Sequence, residues 1–581
     1  MSRPRSGSNT KILAPLQADR LDGRGWDYSC DVLVIGWGAA GACAALEARS
    51  QGAEVIVADR FTGGGASAKS GGVVYAGGGT RQQQDAGFSD TPQAMFDYLK
   101  HETRGVISDD TLRKFCDDSA DNLRWLESHG ARYAHSLPPG GKTSYPADGY
   151  FLYYSGNELV PSHSGEHPAA PRGHRTVGKG QCGAVLYGHL QAACLRAGVQ
   201  PLLQSAARRL VVDDNGRVLG AELWRLPEGT REARVHARLA ARAERWQNLA
   251  PGYCDRLRQK ISRLERDHGQ PVLVRARRGV ILSTGGFIFN RDLIREHAPK
   301  FRRNFKVGAT GCDGSGLRLG QSVGGKSERL SRVSAWRFIN PPFCWPKGIV
   351  VNAQGQRFCN EEVYGATLGQ PLCEEQGGQA WLVLDARLRK QAIRQALFGG
   401  YWGFQSLPAL ALMLLRVRKG DNPDRLAQVC GMQSGELSSS LRGYNAAARG
   451  EVADPVGKSE GSRPVLDKGP FYACNISVDN PVFPLGALTL GGLKVDENTG
   501  AVLDDNSQPI AGLYSAGRTA IGVASHLYIS GLSLADCVFS GRRAGRASTA
   551  GSDLERDEPV AGQRASTGTS IQQGLQHEHT S

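Results

Sequence analysis

The chain has 581 residues, 40% of them hydrophobic, and a formal net charge of +14 at pH 7. That is too long for one hydrophobic core, so at least two domains are expected. No run of about 18 apolar residues is present to span a membrane, and the thirteen cysteines are scattered without a C-x-x-C pair, which argues for reduced thiols and against a disulfide framework or a metal site.

Residues 1–29 read as a poorly ordered leader that carries charge but no apolar h-region, so a cytoplasmic protein is expected. The next segment, Asp31-Val-Leu-Val-Ile-Gly36-Trp-Gly38-Ala39-Ala40-Gly41, predicts a buried strand that runs through G-x-G-x-x-G spacing into a helix over Ala39 to Ser50. Gly36 permits the turn, Gly38 lets backbone approach a pyrophosphate, and Gly41 lets the helix pack close to the strand. A second strand from Glu54 ends in Asp59, where a carboxylate usually meets a ribose hydroxyl. The order strand, triplet, helix, strand, acid predicts a dinucleotide site. The loop that follows, Gly63 to Gly72, is built of small residues, so its amides can approach a flat ring and its phosphates.

Much of the positive charge lies between Arg225 and Arg278. There a long amphipathic helix, Ala237 to His268, is predicted, with Leu239, Trp246, Leu249, Leu257, Ile261 and Leu264 as its apolar members. It reads as a solvated basic insertion at about 236–270, with peripheral membrane contact as the second reading. No nucleic-acid recognition motif accompanies the charge, so nucleic acid is not expected as a partner. Further on, Gly279 to Ser283 leads into Thr284-Gly285-Gly286, and Ile510 to Ser515 leads into Ala516-Gly517-Arg518. Both put a glycine turn at the C-terminal end of a strand, where open α/β sheets bind ligands. The expected fold is α/β: a Rossmann-like domain assembled from both ends of the chain, 30–311 and 481–548, with an inserted α+β capping domain at 312–480 and a disordered tail at 549–581. No internal repeat is evident.

Several segments in this order carry a family resemblance: Thr284-Gly-Gly, Thr310-Gly-Cys-Asp313-Gly314, Gly355-Gln-Arg357-Phe-Cys-Asn360-Glu361, Thr489-Leu-Gly491-Gly492 and Gly512-Leu-Tyr-Ser-Ala-Gly517. With them the chain resembles the flavoprotein superfamily of fumarate reductases and 3-ketosteroid dehydrogenases over nearly all of 30–548. The resemblance implies FAD. It implies that FAD is held by Gly36, Gly38, Ala39, Ala40, Gly41, Asp59 and Arg60, by Ser67, Ser70, Gly71 and Gly72, by Thr284, Gly285, Gly286 and Asp313, and by Gly517, Arg518, Ser533 and Leu534. Fumarate reductases carry a histidine before a T-x-G-G segment and an arginine in the last glycine-rich stretch, both aimed at substrate carboxylates. Here those places read Gly486-Ala-Leu-Thr489 and Ser525-His526-Leu-Tyr528-Ile-Ser530-Gly531, with neither residue in position, although His526 lies nearby. Tyr154-Ser-Gly-Asn-Glu158, Pro171-Arg-Gly-His174, Ser530 to Asp536 and Phe539 to Arg546 look instead like the 3-ketosteroid Δ4-(5α)-dehydrogenases. The Δ1-dehydrogenases, a fumarate-reductase-like ene-reductase and a flavin-binding redox partner that has lost its catalytic site are the alternatives.

Desaturation beside a ketone requires a base for the α-proton, donors for the enolate oxygen and a hydride acceptor; flavin N5 supplies the last. The resemblance places an active-site tyrosine at Tyr472, in Gly469-Pro-Phe-Tyr-Ala-Cys474, and a serine two residues after it, where this chain has Cys474. A second tyrosine implied before a Pro-Pro pair is replaced by Asn340. Backbone N–H groups at Ser530, Gly531 and Leu532 are expected to form the oxyanion site at a helix N-terminus, with Ser477 and Tyr528 as further hydroxyl candidates. Arg357, Asn360 and Glu361 read as a structural network and His174 as a residue that orders the flavin loop. The substrate implied is a small apolar ketone, a steroid; its electron acceptor is not legible, and no metal is expected.

Overall fold

A computed structural model of the protein describes residues 10–21, 25–247 and 249–550. Its main body is a nine-stranded sheet centred on the long strand Gln270–Leu282. The end of that strand lies between two parallel neighbours, Tyr28–Ile35 and Pro509–Ser515, so that Leu282 pairs with both Ile35 and Ser515. Val55–Ala58 adds on the far side of Tyr28–Ile35 with Ile35 opposite Ala58. Strands from positions about five hundred residues apart therefore finish in one row, and the glycine turns that follow them share one edge. Val32 to Ile35 are buried without interruption, as a strand covered on both faces requires.

The helix Ala39–Ser50 packs along the last helix, Leu532–Ala550. A Cβ on Gly541 would lie 2.5 Å from the Ala40 carbonyl oxygen, and one on Gly545 2.4 Å from that of Ala44. These small residues let the two ends of the chain meet at backbone distance, which explains the sequence pattern in Phe539 to Arg546.

Two parts of the sequence reading change. The leader contributes to the sheet: Leu16–Gln17 pairs with Val211–Val212, and Thr10 is buried with its N–H on Asp313, 2.6 Å away. Its residues 1–9 and 22–24, and the expected tail from 551 on, lie outside the described residues. The basic insertion is two helices, Arg231–Trp246 and Pro251–His268, because proline lacks the N–H that would continue a helix but suits the first turn of a new one. They form a hairpin between the antiparallel strands Val218–Arg225 and Gln270–Leu282.

Among the described residues four smaller sheets lie outside the main one, and two of them bear on the site. Phe305–Lys306, Gly486–Thr489 and Val333–Trp336 make one, and Ile349–Asn352, Ala380–Leu384, Phe471–Asn475 and Arg418–Gly420 make the other. The helices Ala386–Phe398 and Gly403–Leu414 pack on the second sheet. Under it, Arg357 forms a bidentate pair with Glu361 at 2.9 and 2.8 Å and a third ion pair with Asp454 at 2.6 Å, while Lys458 reaches Glu361 at 3.2 Å. Asn360 closes the group through the Gly457 carbonyl at 2.9 Å. The network is buried and internally satisfied, in keeping with a structural role.

Candidate active site

The row of strand ends forms the dinucleotide cradle. Gly36 has φ +103°, and a Cβ there would lie 2.6 Å from the Ser283 carbonyl oxygen. On Gly41 a Cβ would lie 2.0 Å from the Gly36 oxygen, so both positions need glycine for the turn and the close helix. Gly38 caps the helix without a side-chain hydrogen bond; Ser67 Oγ accepts the Ala39 N–H at 3.0 Å instead. Asp59 accepts the N–H groups of Trp37 at 2.8 Å and Phe61 at 2.7 Å. Burial raises its pKa, and those amides oppose the shift. A carboxylate has about four acceptor sites, so Asp59 can hold this turn and still accept a ribose hydroxyl.

The loop Ser67–Gly72 is wedged by its neighbours. Ser70 Oγ donates to the Ser67 carbonyl at 2.7 Å, the Tyr145 hydroxyl donates to the Gly71 carbonyl at 3.0 Å, and Gly72, at φ +67°, abuts Cys182. His174, on a strand paired to Val73–Tyr75, meets Thr80 Oγ1 at 2.9 Å and the Arg172 carbonyl at 3.1 Å. Burial pushes it down to about 4, with the Arg172 hydrogen bond opposing, so it orders the loop as a neutral ring. Because the folded value lies below the usual 6.5, its contribution to stability is complete above that pH and is lost as pH falls toward 4. Urea midpoints measured between pH 7.5 and 4.5 are therefore expected to fall, with a shallower fall in His174→Gln.

Across the cradle, Thr284 Oγ1 accepts the Gly316 N–H at 2.9 Å, and the Arg518 guanidinium lies close over Gly285 and Gly286. One of its terminal nitrogens is buried without a hydrogen-bond partner. Gly517 donates to Ser540 Oγ at 2.9 Å, and Leu534 donates to the Gly531 carbonyl at 3.1 Å beside Ser533 in the first turn of the last helix. Glycines at forced close approaches, a helix N-terminus and an orphaned guanidinium N–H suit an anionic dinucleotide with a polar ring, so the residues present fit FAD. Arg60 and Asp313 are recast. They pair with each other at 3.1 Å, and Arg60 also pairs with Glu265 of the helical insertion at 2.7 Å. Asp313 further accepts the N–H groups of Thr10 and Ser315. Their charges form the seam that ties the insertion and the N-terminal segment to the cradle.

Beside the cradle a hydroxyl cluster assembles at the start of the last helix. Tyr153 Oη lies 3.0 Å from Ser530 Oγ, and the Tyr364 hydroxyl lies beside the same serine. The Gly531 N–H faces the Tyr528 phenol oxygen. Burial raises the pKa of Tyr153, Tyr364 and Tyr528, so all three are protonated donors near neutral pH. Gly531 has φ +91°, and a Cβ there would sit 2.7 Å from the Tyr75 nitrogen. Of the three amides expected at the oxyanion site, Leu532 is corrected, since its N–H is taken by the Ile529 carbonyl at 3.0 Å. Trp336 lies against Tyr528 with ring centroids 4.9 Å apart, and Phe338 against Tyr364 at 5.3 Å, giving the polar cluster an aromatic wall. Glu158, buried and with Oε1 unpartnered, acts electrostatically on Tyr153 and Tyr364.

The structure does not bring Tyr472 into this cluster. It sits in the strand Phe471–Asn475 opposite Leu384 and Lys419, with the Arg389 guanidinium 4.5 Å from its ring centroid. Among the described residues no hydrogen bond or ring contact joins it to Tyr528, Ser530 or Gly531. Cys474, two residues on, shares its face of the strand, with Sγ 4.0 Å from the Leu412 carbonyl, and burial pushes the thiol up to about 12. Ser477 Oγ accepts the Ala380 N–H at 3.2 Å. All three serve the packing of the second small sheet. The serine two residues after a tyrosine, missing at Tyr472, is present at Tyr528-Ile-Ser530. Tyr153, Tyr364 and Glu158 were not legible as site residues; only Tyr153's place just before the Tyr154–Glu158 segment pointed to it. Tyr472→Phe is expected to keep turnover within about threefold of the parent, as surface-like hydroxyl deletions away from a site do, in a steady-state assay at saturating substrate.

The cradle and hydroxyl cluster define a flavoprotein oxidoreductase, and residues 31–531 match the FAD binding domain family, to which the chain belongs. FAD is its cofactor. Among its relatives, the 3-oxo-5-alpha-steroid 4-dehydrogenase of Comamonas testosteroni is 48% identical over 506 residues, 85% of this chain and 93% of that one. The 3-oxosteroid 1-dehydrogenase of Mycolicibacterium smegmatis is 27% identical, covering 86% of this chain and 93% of its own length. Among solved structures, the 3-ketosteroid-Δ4-(5α)-dehydrogenase of Rhodococcus jostii RHA1, in complex with 4-androstene-3,17-dione, superposes with a TM-score of 0.77 at 28% identity, covering 92% of this chain and all (100%) of that one.

Proposed function

We propose that the protein is an FAD-dependent dehydrogenase that desaturates 5α-3-ketosteroids between C4 and C5. The observation that carries this reading is the juxtaposition of Tyr528, the Gly531 N–H and Ser530 at a helix N-terminus against an aromatic wall. Tyr528 and the Gly531 amide are donors placed to hold the C3 carbonyl oxygen as it gains enolate character, which makes the C4 proton acidic. Ser530 Oγ receives the C4 proton as its own proton moves to Tyr153 Oη, 3.0 Å away, which gives up its phenol proton in the same relay; the Glu158 carboxylate, which acts electrostatically on Tyr153 and Tyr364 and whose proton affinity burial raises, is the terminal acceptor. FAD, when bound, accepts the C5 hydrogen as hydride at N5, so that loss of one proton and one hydride leaves the C4=C5 bond. Trp336 and Phe338 exclude water and offer apolar surface to a steroid skeleton.

Neither cation expected for a dicarboxylate stands in the cluster, which weighs against fumarate reduction. The oxidised holoenzyme, mixed anaerobically with a saturated 5α-3-ketosteroid, is expected to lose its flavin absorbance. Absence of bleaching by the steroid, with reoxidation of the chemically reduced enzyme by fumarate, would overturn the reading. A cytoplasmic setting is supported by the thirteen cysteines, all free and all but Cys430 buried. Among the described residues no helix is long and apolar enough to cross a membrane.

A further inference from the structure

The capping region presents an apolar surface that the chemistry above does not use. It lies on the hairpin of helices Ala386–Phe398 and Gly403–Leu414. Phe398 is 81% exposed, Leu407 69% and Leu415 82%, with Leu397, Phe404 and Leu414 also open to solvent. Scattered exposed apolar side chains are ordinary on a soluble protein, but six large ones within nineteen residues of sequence are not.

The charge around them has one sign. From Ala386 to Gly420 there are seven arginines and lysines and no aspartate or glutamate. Lys390, Arg394, Arg416, Arg418 and Lys419, on the hairpin and the strand after it, are exposed. A helix hairpin that exposes apolar side chains along its length with cations and no acids of its own complements one kind of surface, a bilayer with anionic headgroups. Its acyl region takes Phe398 and Leu415, and its phosphates attract the lysines and arginines. A protein partner offers no comparable reason for the total exclusion of acids.

The hairpin is also rooted in the wall of the active site. Trp402 Nε1 donates to the Pro146 carbonyl at 3.1 Å, and Gln405 donates to that of Tyr145 at 3.4 Å. Tyr145 in turn donates to Gly71 of the flavin loop at 3.0 Å, and Ser144 donates to the carbonyl of Asn340, two residues beyond Phe338. Tyr401 packs edge-on to Phe343 with ring centroids 5.5 Å apart. The loop between the two helices and the start of the second are thus joined to segments that border the site.

We propose that this hairpin docks the enzyme on anionic membrane surfaces and that its apolar substrate enters from the bilayer at this face. Docking stands on the hairpin alone; only substrate entry rests on the ketosteroid reading. The basic insertion, which the sequence suggested for membrane contact, also exposes Trp246, Leu249 and Tyr253 around its turn, but its helices carry the acids Glu232, Glu244, Asp255, Glu265 and Asp267, where the hairpin carries none.

The test is sedimentation of the holoenzyme with vesicles of phosphatidylglycerol and phosphatidylcholine, against vesicles of phosphatidylcholine alone. Binding to the anionic vesicles is expected to be at least tenfold stronger, and to weaken as salt is raised from 0.05 to 0.5 M. Phe398→Ser with Leu415→Ser is expected to cut it tenfold or more, with flavin absorbance and activity on cyclodextrin-solubilised steroid unchanged. Leu249→Ser, on the basic insertion, is expected to leave it unchanged. Three results would each overturn the proposal: no preference for anionic vesicles, loss of binding in Leu249→Ser but not in the hairpin variant, or a dimer in gel filtration that the hairpin variant dissolves while neither form binds vesicles. An enzyme that binds vesicles through the hairpin but fails to oxidise any ketosteroid would leave docking intact and remove the ketosteroid reading.

Discussion

Tyr528→Phe is expected to keep its flavin and its fold and to lose about 10²- to 10³-fold in turnover, the cost of removing one donor from an oxyanion site. The Tyr528 phenol oxygen faces the Gly531 amide, and burial raises the Tyr528 pKa against the opposing pull of that amide and of Arg518. Phenylalanine keeps the ring against Trp336 and deletes only the hydroxyl, so the aromatic wall survives. The loss should fall on kcat, with KM nearly unchanged, because the hydrogen bond to the ketone strengthens as the enolate forms. Flavin absorbance and steady-state kinetics together check this. A Tyr528→Phe enzyme within threefold of the parent, alongside a Tyr472→Phe enzyme that is crippled, would reinstate Tyr472 and remove the cluster from the mechanism.

Glu361→Gln is expected to be the most destabilising of the conservative changes, at about 3–5 kcal/mol, because breaking one side of a buried ion pair leaves the other side uncompensated. Burial alone would raise the Glu361 pKa, but Lys458 and Arg357 outweigh it and hold the carboxyl below its ordinary value. Lys458 donates also to the Gly348 carbonyl at 2.6 Å and the Glu361 carboxylate accepts the Val350 N–H at 2.9 Å, so the substitution leaves Lys458 without a carboxylate, leaves Arg357 with Asp454 alone and loosens the strand Ile349–Asn352. A shift of the urea midpoint measures it. The change should leave kcat of the folded fraction close to the parent's, which separates a structural network from a proton route: a stable Glu361→Gln enzyme with lost turnover would make it a proton route.

The dinucleotide cradle was legible because its determinants are local. The turn at Gly36, the close approach at Gly41 and the apolar run before them lie within eleven residues, and each is a demand that only one residue type meets. The second half of the cradle, Gly512 to Arg518, was legible for the same reason. Of the hydroxyl cluster, Tyr528, Ser530 and Gly531 were legible and Tyr153 and Tyr364 were not, because Tyr153 and Ser530 are 377 positions apart, and their approach depends on the last helix packing against the first. A tyrosine in a segment similar to a known motif was the available signal, and it selected Tyr472, whose strand turns the side chain toward Arg389. The tyrosine-x-serine spacing at Tyr528 was on the page of the sequence but could not outrank it without the geometry. In the basic insertion, Pro251 marked the break between two helices, yet the apolar periodicity on either side concealed it.

A single anaerobic turnover with a 5α-3-ketosteroid carrying deuterium at C5, followed through flavin absorbance and with the product's double bond located by NMR, distinguishes desaturation at C4–C5 from desaturation at C1–C2. The predicted result is bleaching slowed by a primary isotope effect and a 4-en-3-one product without the C5 label. A 1-en-3-one that retains the C5 deuterium, formed with no isotope effect, would contradict it.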